Sequence, residues 1–450
     1  MPPRPQDSPS ATAIVEITGI AAGGAGVGRL PDGRAVFVPR TAPGERVLAR
    51  VVEAKRRWAR ARLLRVLDPS PDRRPAPCAY YARCGGCTLE HLAYPAQLRA
   101  KAAIVAEALA RIGSVATPVP EVTPSPEEFR YRNRVSFTLV RLEHGRVVAG
   151  FHELEHPARV LDIGADCLLP EPAVAEVWGR LRAAWGTDAS RLPAGARLRL
   201  TLRGTGAGEV SLLVEGGYGP GQPEELLHAV PGLQAIWQRP RDGAPVLLAG
   251  AASLTESWED EDVGLSGATF LQVNRGAAAR LEEHVAALAG EVAGLRVVDA
   301  YCGIGLHARR LARRGARVLG IEVDPLAVAE ARRAVDAEAA ADRVAPAGAP
   351  AEFVLGRVEE ALPAALPADL VVLNPPRGGL DSAVPPALLA QPPARLIYVS
   401  CDPATLARDV ARLAGAFALR SLRCFDLFPQ TAHVETVAEL VRTGGDPPAE

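Results

Sequence analysis

The chain has 450 residues, of which 48% are hydrophobic, and its formal net charge is −1 at pH 7. This length predicts two to four domains. Because the net charge is near zero, the overall charge does not indicate a class of partner, and charge must be read locally. No apolar run is long enough to span a bilayer, and residues 1–11 lack the apolar core of a secretion signal. We therefore expect a cytoplasmic protein without a membrane partner, with a disordered tail over residues 1–11.

Residues 12–68 predict a small β-barrel, because several short strand-like runs follow one another at close spacing between glycine-containing turns. The segment 46–74 carries ten Lys or Arg residues against three acidic ones. Such a basic patch favours contact with a nucleic-acid backbone over a merely solvated strand face. Three of the strand-like runs are 13–17, 35–38 and 46–52.

Four cysteines form the first candidate site. Cys78, Cys84 and Cys87 follow in a C-x5-C-x2-C arrangement, and Cys167 is the nearest candidate for a fourth ligand. The two glycines between Cys84 and Cys87 allow a tight turn whose N–H groups point at sulfur. Four thiolates suit either zinc or an iron–sulfur cluster, and the spacing does not decide between them. A redox dithiol at Cys84 and Cys87 is a third interpretation, which leaves Cys78 without a role.

The middle of the chain predicts a helix and then a mixed sheet. Residues 95–112 are apolar on one face and are followed by Gly113, which is a common end for a helix. Residues 113–262 predict a mixed sheet domain. Stretches rich in Pro, Gly and acidic residues, at 215–225 and 256–264, predict loops.

Three arginines alternate with other residues near the start of that sheet. On a strand, Arg130, Arg132 and Arg134 would lie on one face. Three guanidinium groups in a row could bind phosphates through paired hydrogen bonds. An exposed edge-strand face explains the same pattern, so both interpretations stay open.

From about residue 263 the chain alternates strand-like and helix-like stretches, which predicts a doubly wound α/β sheet with parallel strands. The last of these runs ends at Cys401, and Pro403 then opens a helix. A cysteine at the carboxyl end of a parallel strand lies where open α/β sheets place their chemistry. The strand-like runs are 295–300, 316–321, 370–373 and 396–399.

A glycine turn after the first of these strands predicts a nucleoside-cofactor site. Gly303 and Gly305 let a ligand approach the backbone at a helix start. Glu322 ends the next strand, about twenty residues after Asp299, where an acid can accept hydrogen bonds from ribose hydroxyls. From these residues alone, both a nicotinamide dinucleotide and S-adenosylmethionine remain open.

Two further stretches favour chemistry on a planar base. Asn374-Pro375-Pro376-Arg377 follows a strand, and its two prolines fix an extended turn that projects Asn374 and Arg377 at the sheet edge. A surface ion pair is the simpler interpretation of Arg377. Glu435 begins a run that we expect to be buried, so its pKa should be raised and it could act as a general base.

These motifs together resemble one family: the class I S-adenosylmethionine-dependent RNA 5-methyluridine (uracil-C5) methyltransferases. The N-terminal barrel looks like the RNA-binding TRAM domain. The cysteine set at 78, 84, 87 and 167 is similar to one that holds a four-iron four-sulfur cluster in the ribosomal-RNA branch. The stretch 270–274 looks like the family's FxQxN motif, Cys401 matches its nucleophile, and Glu435 its general base. The donor-binding positions implied by the resemblance are Gln272, Tyr301, Gly303, Gly305, Leu306, Glu322 and Asn374.

The resemblance implies methylation of C5 of a specific uridine in RNA through a covalent bond from Cys401 to C6. It favours 23S ribosomal RNA over transfer RNA, a four-iron four-sulfur cluster with zinc as the alternative, and a monomer. The expected domains are 12–68 (TRAM-like barrel), 69–262 (central α+β domain with the cysteine site) and 263–450 (Rossmann-like methyltransferase).

Two departures from the family pattern support a rival hypothesis. Asn374 stands where the family usually has Asp, and Leu306 stands where it often has Asn. A non-catalytic RNA-binding or assembly factor with a weakened donor site would explain both. Methylation of an exocyclic amine is a second rival, but that chemistry has no use for Cys401.

Overall fold

The computed structural model describes residues 11–240, 243–258, 261–266, 269, 271–340 and 350–444. Apart from Ala11, the predicted N-terminal tail lies outside the described residues. Within these ranges, every helix is too short or too polar to cross a bilayer.

The N-terminal strands close into a barrel in the order β1-β2-β3-β5-β4, which confirms the predicted barrel. Alternate residues of each strand point inward and form its core, as Val36 and Val38 do. Eight of the ten cations of the basic segment lie on the last two strands and their connection, and Arg73 and Arg74 follow the barrel. The Arg60 guanidinium is 5.7 Å from the Trp58 ring centroid. The strands are β1 (Thr12–Ile20), β2 (Ala25–Arg29), β3 (Ala35–Pro39), β4 (Arg46–Ala54) and β5 (Trp58–Asp68).

The predicted helix after the cysteines is present as α1 (Tyr94–Ala108), which continues as a wider π-helical turn to Gly113. The turn ends at Ser114, whose φ of 53° is left-handed, and not at the glycine as predicted. Gly113 is needed for packing, because a Cβ there would lie 3.1 Å from the Ala407 carbonyl oxygen. Strand β6 (Val122–Thr123) follows.

The central region forms a seven-stranded sheet in the order β13-β12-β11-β10-β7-β8-β9. Its β11–β12 pair is parallel and its other pairs are antiparallel, so the predicted mixed sheet is confirmed. Two helices share its apolar core, in which the Phe137 and Trp178 rings stack 4.2 Å apart. The elements are β7 (Arg134–Arg141), β8 (Val147–His152), β9 (Val160–Asp162), α2 (Pro172–Ala184), β10 (Arg197–Gly204), β11 (Val210–Glu215), α3 (Pro223–Ala229), β12 (Leu233–Arg239) and β13 (Val246–Gly250).

One of the two predicted loops in this region is wrong. The stretch 256–264 lies largely within an antiparallel hairpin of β14 (Leu254–Trp258) and β15 (Glu261–Leu265). Its many acidic residues obscured a strand pattern in which Leu254, Val263 and Leu265 are buried.

The C-terminal sheet has eight strands among the described residues, in the order β18-β17-β16-β19-β20-β22-β21-β6. The neighbouring pairs from β18 to β20 are parallel, as predicted, and β22 pairs antiparallel with β20 and β21. Apolar cores lie on both of its faces, which explains why 370–373 is uniformly apolar. The elements are α4 (Arg275–Ala289), β16 (Arg296–Ala300), α5 (Leu306–Arg313), β17 (Arg317–Glu322), α6 (Pro325–Ala340), β18 (Glu352–Leu355), α7 (Val358–Ala365), β19 (Leu370–Leu373), α8 (Val384–Ala390), β20 (Arg395–Ser400), α9 (Pro403–Leu413), β21 (Phe417–Phe425) and β22 (Glu435–Arg442).

Candidate active site

A cavity of about 1190 Å³ opens at the carboxyl edge of the parallel strands of the C-terminal sheet. It is larger than most small-molecule sites, so it has room for a nucleoside cofactor and a nucleotide together. Most of the predicted catalytic and donor-binding residues contribute to its wall. These residues are Gln272, Tyr301, Gly303, Leu306, Glu322, Asn374, Cys401 and Glu435.

Cys401 and Glu435 lie side by side because of strand pairing. Ser400 and Thr436 are register partners on the antiparallel strands β20 and β22, and the Thr436 hydroxyl donates to the Ser400 carbonyl oxygen at 3.0 Å. Cys401 follows one partner and Glu435 precedes the other, so both residues leave the same end of the strand pair. Asp402 then caps α9, accepting hydrogen bonds from the two backbone N–H groups of residues 404 and 405.

Burial, neighbouring carboxylates and the Arg377 guanidinium set the electrostatics of these two groups. Burial raises the pKa of Glu435 to about 8, and the Arg377 guanidinium opposes that shift. Burial and the Glu435 carboxylate raise the pKa of the Cys401 thiol to about 11, again opposed by Arg377. Arg377 therefore favours both anions, which gives it a more specific role than the surface ion pair considered from the sequence.

The part of the cavity wall that is predicted to bind the donor is a strained turn after β16. Tyr301 has a φ of 64°, which is uncommon for a residue with a side chain, and Gly303 has a φ of 56°. A Cβ on Gly303 would meet nothing within 4 Å, so the backbone is open to a ligand there. Gly305 instead packs against Phe353, whose ring would lie 2.5 Å from an added Cβ.

The carboxylate of Glu322 is fixed at the rim of this turn. One oxygen accepts from the Gly303 N–H at 2.9 Å, and the other accepts from the N–H groups of Val323 and Asp324 at 2.7 and 2.8 Å. Because each carboxylate oxygen has two acceptor sites, the oxygen bonded to the Gly303 N–H keeps one site, which can accept from a ribose hydroxyl. The Tyr301 hydroxyl is buried, and the Asp381 backbone N–H is directed at it without a hydrogen bond of good geometry.

The stretch that carries Gln272 joins the central and C-terminal regions. The Asn133 side chain donates to the Gln272 carbonyl oxygen at 3.0 Å, and Asn274 caps α4 by accepting from the Ala277 N–H at 3.1 Å. These bonds leave the Gln272 side chain at the cavity wall. Phe270, the first residue of the motif, lies outside the described residues.

The predicted row of three arginines is wrong. Arg130 has a left-handed φ of 57° and donates to the Cys167 carbonyl oxygen at 2.7 Å, while β7 begins only at Arg134. Arg132 and Arg134 nevertheless line the cavity, and Arg199 of β10 lines it beside them. The Arg132 guanidinium lies 5.6 Å from the Phe428 ring centroid.

The four cysteines at 78, 84, 87 and 167 surround a second, very small cavity in the central region. The Gly86 N–H donates to the Cys84 sulfur at 3.3 Å, as the glycine pair predicts. Backbone N–H groups also point at the sulfurs of Cys78 and Cys167. Even so, no group of three or more His, Cys, Asp or Glu side chains in the described ranges is arranged to hold a metal ion. The expected cluster therefore stays a prediction.

Sequence reasoning missed the residues that hold the segment 426–434, which leads into Glu435. Buried Lys101 forms an ion pair with buried Asp426, and Gln97 bonds to Gln430. These pairs join positions more than 320 residues apart, so no local pattern in the sequence could have indicated them.

Comparison with known proteins agrees with this geometry. Residues 265–443 match the family model described as tRNA (Uracil-5-)-methyltransferase, and residues 11–64 match the TRAM domain. An uncharacterized RNA methyltransferase of Gloeobacter violaceus is 36% identical over 96% of this chain and 97% of its own length. Another, from Halalkalibacterium halodurans, is 32% identical over 95% of this chain and 96% of its own.

A solved structure is similar to this chain over almost its full length. The tRNA (uracil-54, C5)-methyltransferase of Pyrococcus abyssi, in complex with S-adenosyl-L-homocysteine, is similar over 95% of this chain and 100% of its own, with a TM-score of 0.72 and 27% identity. The chain is therefore an enzyme, and it belongs to the family of S-adenosylmethionine-dependent RNA (uracil-5-)-methyltransferases that carry an N-terminal TRAM domain.

Proposed function

We propose that the protein methylates C5 of one uridine in 23S ribosomal RNA through a transient bond between Cys401 and C6 of the base. The observation that carries the proposal is the placement of Cys401 and Glu435 at the same end of two paired strands, with Arg377 close to both. Both residues line one cavity with the donor-binding turn. A monomer suffices, because a single chain supplies all of these groups.

Cys401 begins the reaction because C5 of uracil is a poor nucleophile. Addition of the thiolate to C6 moves the electrons of the C5–C6 double bond onto C5 and O4, which makes C5 nucleophilic. A thiolate suits this step since it both attacks and leaves readily. Arg377 increases the thiolate fraction by lowering the pKa of Cys401.

S-adenosylmethionine supplies an electrophilic methyl group when it is bound. The residues at the turn fit such a donor: Gly303 leaves its backbone open, Tyr301 lines the cavity, and Glu322 keeps one acceptor site. We assign Glu322 to a ribose hydroxyl and Gln272 to the donor's other polar groups. Leu306 and Asn374 complete the wall of this site.

Glu435 completes the reaction as the general base. After C5 has been methylated, the carboxylate takes the C5 proton, the double bond between C5 and C6 is restored, and the bond from C6 to the Cys401 sulfur breaks. A carboxylate with a pKa of about 8 is a stronger base than an ordinary one. Its charged form is the active one, so this step should accelerate as the pH rises toward 8.

RNA must present the target uridine outside its stack, since a folded RNA buries its bases. Arg132, Arg134 and Arg199 line the cavity and are suited to the neighbouring phosphates. The basic face of the barrel, on β4 and β5, extends the contact with the backbone. We therefore assign RNA binding to all three regions of the chain.

We further propose that Cys78, Cys84, Cys87 and Cys167 hold a four-iron four-sulfur cluster, with zinc as the alternative. Convergence of the four side chains on one cavity and backbone N–H groups directed at sulfur support this assignment. The cluster would supply structural cross-linking and RNA docking, with no part in methyl transfer.

Mass spectrometry of RNA from a deletion strain tests the target. We expect one 5-methyluridine to disappear from 23S ribosomal RNA and to return with a plasmid copy of the wild-type gene but not with Cys401→Ala. Unchanged ribosomal RNA together with the loss of a transfer-RNA mark would overturn the ribosomal assignment.

Transfer RNA is the second candidate substrate. It is favoured by the Pyrococcus abyssi enzyme, which is named for uracil 54 of tRNA and matches this chain over almost its full length. The four-cysteine set, which resembles that of the ribosomal-RNA branch, favours the first candidate. Methylation of purified transfer RNA and ribosomal RNA side by side distinguishes them.

A further inference from the structure

The loop of residues 426–434 joins β21 to β22 and leads directly into Glu435. Residues from much earlier in the chain hold its backbone. The Tyr131 hydroxyl donates to the Pro429 carbonyl oxygen at 2.9 Å, and the Lys101 ammonium donates to the Phe428 carbonyl oxygen at 3.0 Å. The position of Glu435 therefore depends on contacts outside its own sheet.

Gln430 makes most of these contacts, beginning with its backbone. Its carbonyl oxygen accepts from the N–H groups of Thr88 and Leu89, both at 2.9 Å. Its own N–H donates to the Gln97 side-chain oxygen at 2.9 Å. The segment that follows Cys87 and the first turn of α1 thus bind the backbone of the same residue of the loop.

The side chain of Gln430 also bonds to residues from the early part of the chain. Its amide oxygen accepts from the Gln97 side-chain amide at 2.9 Å and from Arg74 at 3.1 Å. Its amide nitrogen donates to the Glu128 carbonyl oxygen at 3.2 Å. Every polar group of Gln430 is therefore bonded to residues between positions 74 and 128.

Two features show that this arrangement is imposed on the loop. Gln430 is completely buried, although glutamine usually lies at the surface. Its φ is 69°, a left-handed conformation that is uncommon for a residue with a side chain and costs free energy. A buried, strained residue five positions before a general base calls for a functional explanation.

We propose, on the basis of the function proposed above, that Gln430 is a positioning residue that fixes the approach to Glu435 and thereby sets the rate at which the covalent RNA adduct is resolved. The segment from Thr88 to Gln97 supplies the fixed partner. Gln430 touches no reacting atom in this role, since it acts through the backbone that precedes β22.

The step it controls is removal of the C5 proton. The C5–H bond breaks, the proton moves to a Glu435 carboxylate oxygen, and the bonding pair enters the enolate of C5, C4 and O4. That enolate then re-forms the C5–C6 double bond, and the C6–sulfur bond breaks with both electrons on the Cys401 thiolate. Transfer from carbon requires close approach of the carboxylate, so a displaced loop slows this step.

Formation of the adduct depends on a different part of the structure. Cys401 is held by the end of β20 and by the Asp402 cap of α9, which accepts from backbone N–H groups at 2.9 and 3.0 Å. Weakening the contacts of Gln430 should therefore slow resolution while leaving thiolate addition unchanged. This separation distinguishes a positioning role from general support of the fold.

The test uses the full-length enzyme with Gln97→Met, which keeps the side-chain length and removes both bonds to Gln430. Trapping on RNA with 5-fluorouridine at the target measures addition and methylation. We expect unchanged trapping, but roughly 10- to 100-fold slower release of normal methylated RNA, as for a displacement of about 1 Å, with adduct accumulating on denaturing gels. Gln234→Met, at an exposed glutamine, is the matched control and should behave as wild type.

Proportional losses of trapping and release, or wild-type release by Gln97→Met, would overturn the proposal. Failure of the wild-type enzyme to trap would instead overturn the underlying covalent mechanism. Gln430→Gly and Gln430→Ala provide a second test, because only glycine adopts the left-handed φ freely. We expect both to release RNA more slowly than wild type, and the alanine variant to be slower. Loss of the native unfolding transition in all three variants would assign Gln430 to the fold alone.

Discussion

Two groups of thiols in this chain differ in their surroundings. Cys401 is half-buried at the wall of a large cavity, beside a carboxylate and near the Arg377 guanidinium. Cys84 and Cys167 are buried around a very small cavity, where backbone N–H groups point at sulfur. Burial raises the pKa of the thiol in both places, so burial does not separate them. At Cys401, access for an RNA base and a nearby cation favour the role of a nucleophile. At the other cysteines, sulfurs that converge on one cavity favour the role of metal ligands.

The largest expected effect tests the nucleophile. Cys401→Ala should lower turnover by at least about 10³-fold, because the variant has no group to add to C6. RNA binding and donor binding should remain, as measured by filter binding and calorimetry. Cys424→Ala is the control, since Cys424 is a buried residue of β21 that does not line the cavity, and its turnover should survive. Normal turnover by Cys401→Ala would contradict the covalent mechanism.

Glu435→Gln should have the next largest effect. Without a base the C5 proton stays in place, so turnover should fall by about 100-fold or more while a covalent complex with RNA accumulates. Labelled RNA on denaturing gels measures the complex. In the wild type, release should accelerate as the pH rises toward 8, because the pKa of Glu435 is raised to about 8 and its charged form is the base. The absence of a covalent complex in the variant would exclude Glu435 from this role.

Cys84→Ser tests the other group of thiols. The purified wild type should be coloured and contain iron, and the variant should lose that absorbance. Loss of a metal ligand should also lower the unfolding midpoint by roughly 5 °C or more. Iron analysis and thermal unfolding measure both effects. A colourless wild-type protein that holds only zinc would reject the iron–sulfur assignment and leave the ligand role intact.

Arg377→Met should have the smallest effect. Arg377 lowers the pKa of Cys401, so its removal should raise that pKa and move the pH profile of trapping on 5-fluorouridine RNA to higher pH. If the pKa of the thiol rises by about one, the thiolate fraction at neutral pH falls about tenfold. A profile that stays in place, with only weaker RNA binding, would mean that Arg377 contacts phosphate instead.

The reactive edge of the sheet was predictable from the sequence because its strands are locally encoded. Largely apolar runs end shortly before Gly303, Glu322 and Cys401, or follow Glu435, and the ends of neighbouring strands meet in space. The barrel and the grouping of Cys78, Cys84 and Cys87 followed from similar local signals, whereas Cys167 was only the nearest candidate for a fourth position and was otherwise implied by the resemblance. The local sequence pattern thus indicated which residues stand at the ends of these strands.

The remaining features depend on backbone geometry and on distant contacts. The prediction that three arginines share one strand face is wrong because Arg130 takes a left-handed φ. That conformation breaks the alternation of side chains that a strand would impose. The hairpin at 254–265 was missed because acidic residues dominate the sequence of 256–262 and make it resemble a loop. Gln430 could not be found, since its partners lie more than 300 positions away.

The eighth strand of the C-terminal sheet, β6, comes from the first third of the chain and pairs with β21. During synthesis this short segment and the Thr88–Gln97 stretch leave the ribosome long before β21 and β22 exist. Both must wait for the last strands, so the loop 426–434 is fixed only when the first third of the polypeptide meets its last two strands. A fragment that begins at α4 would keep the proposed nucleophile, but the loop before the proposed base would lack its partners, so we expect that fragment alone to be inactive.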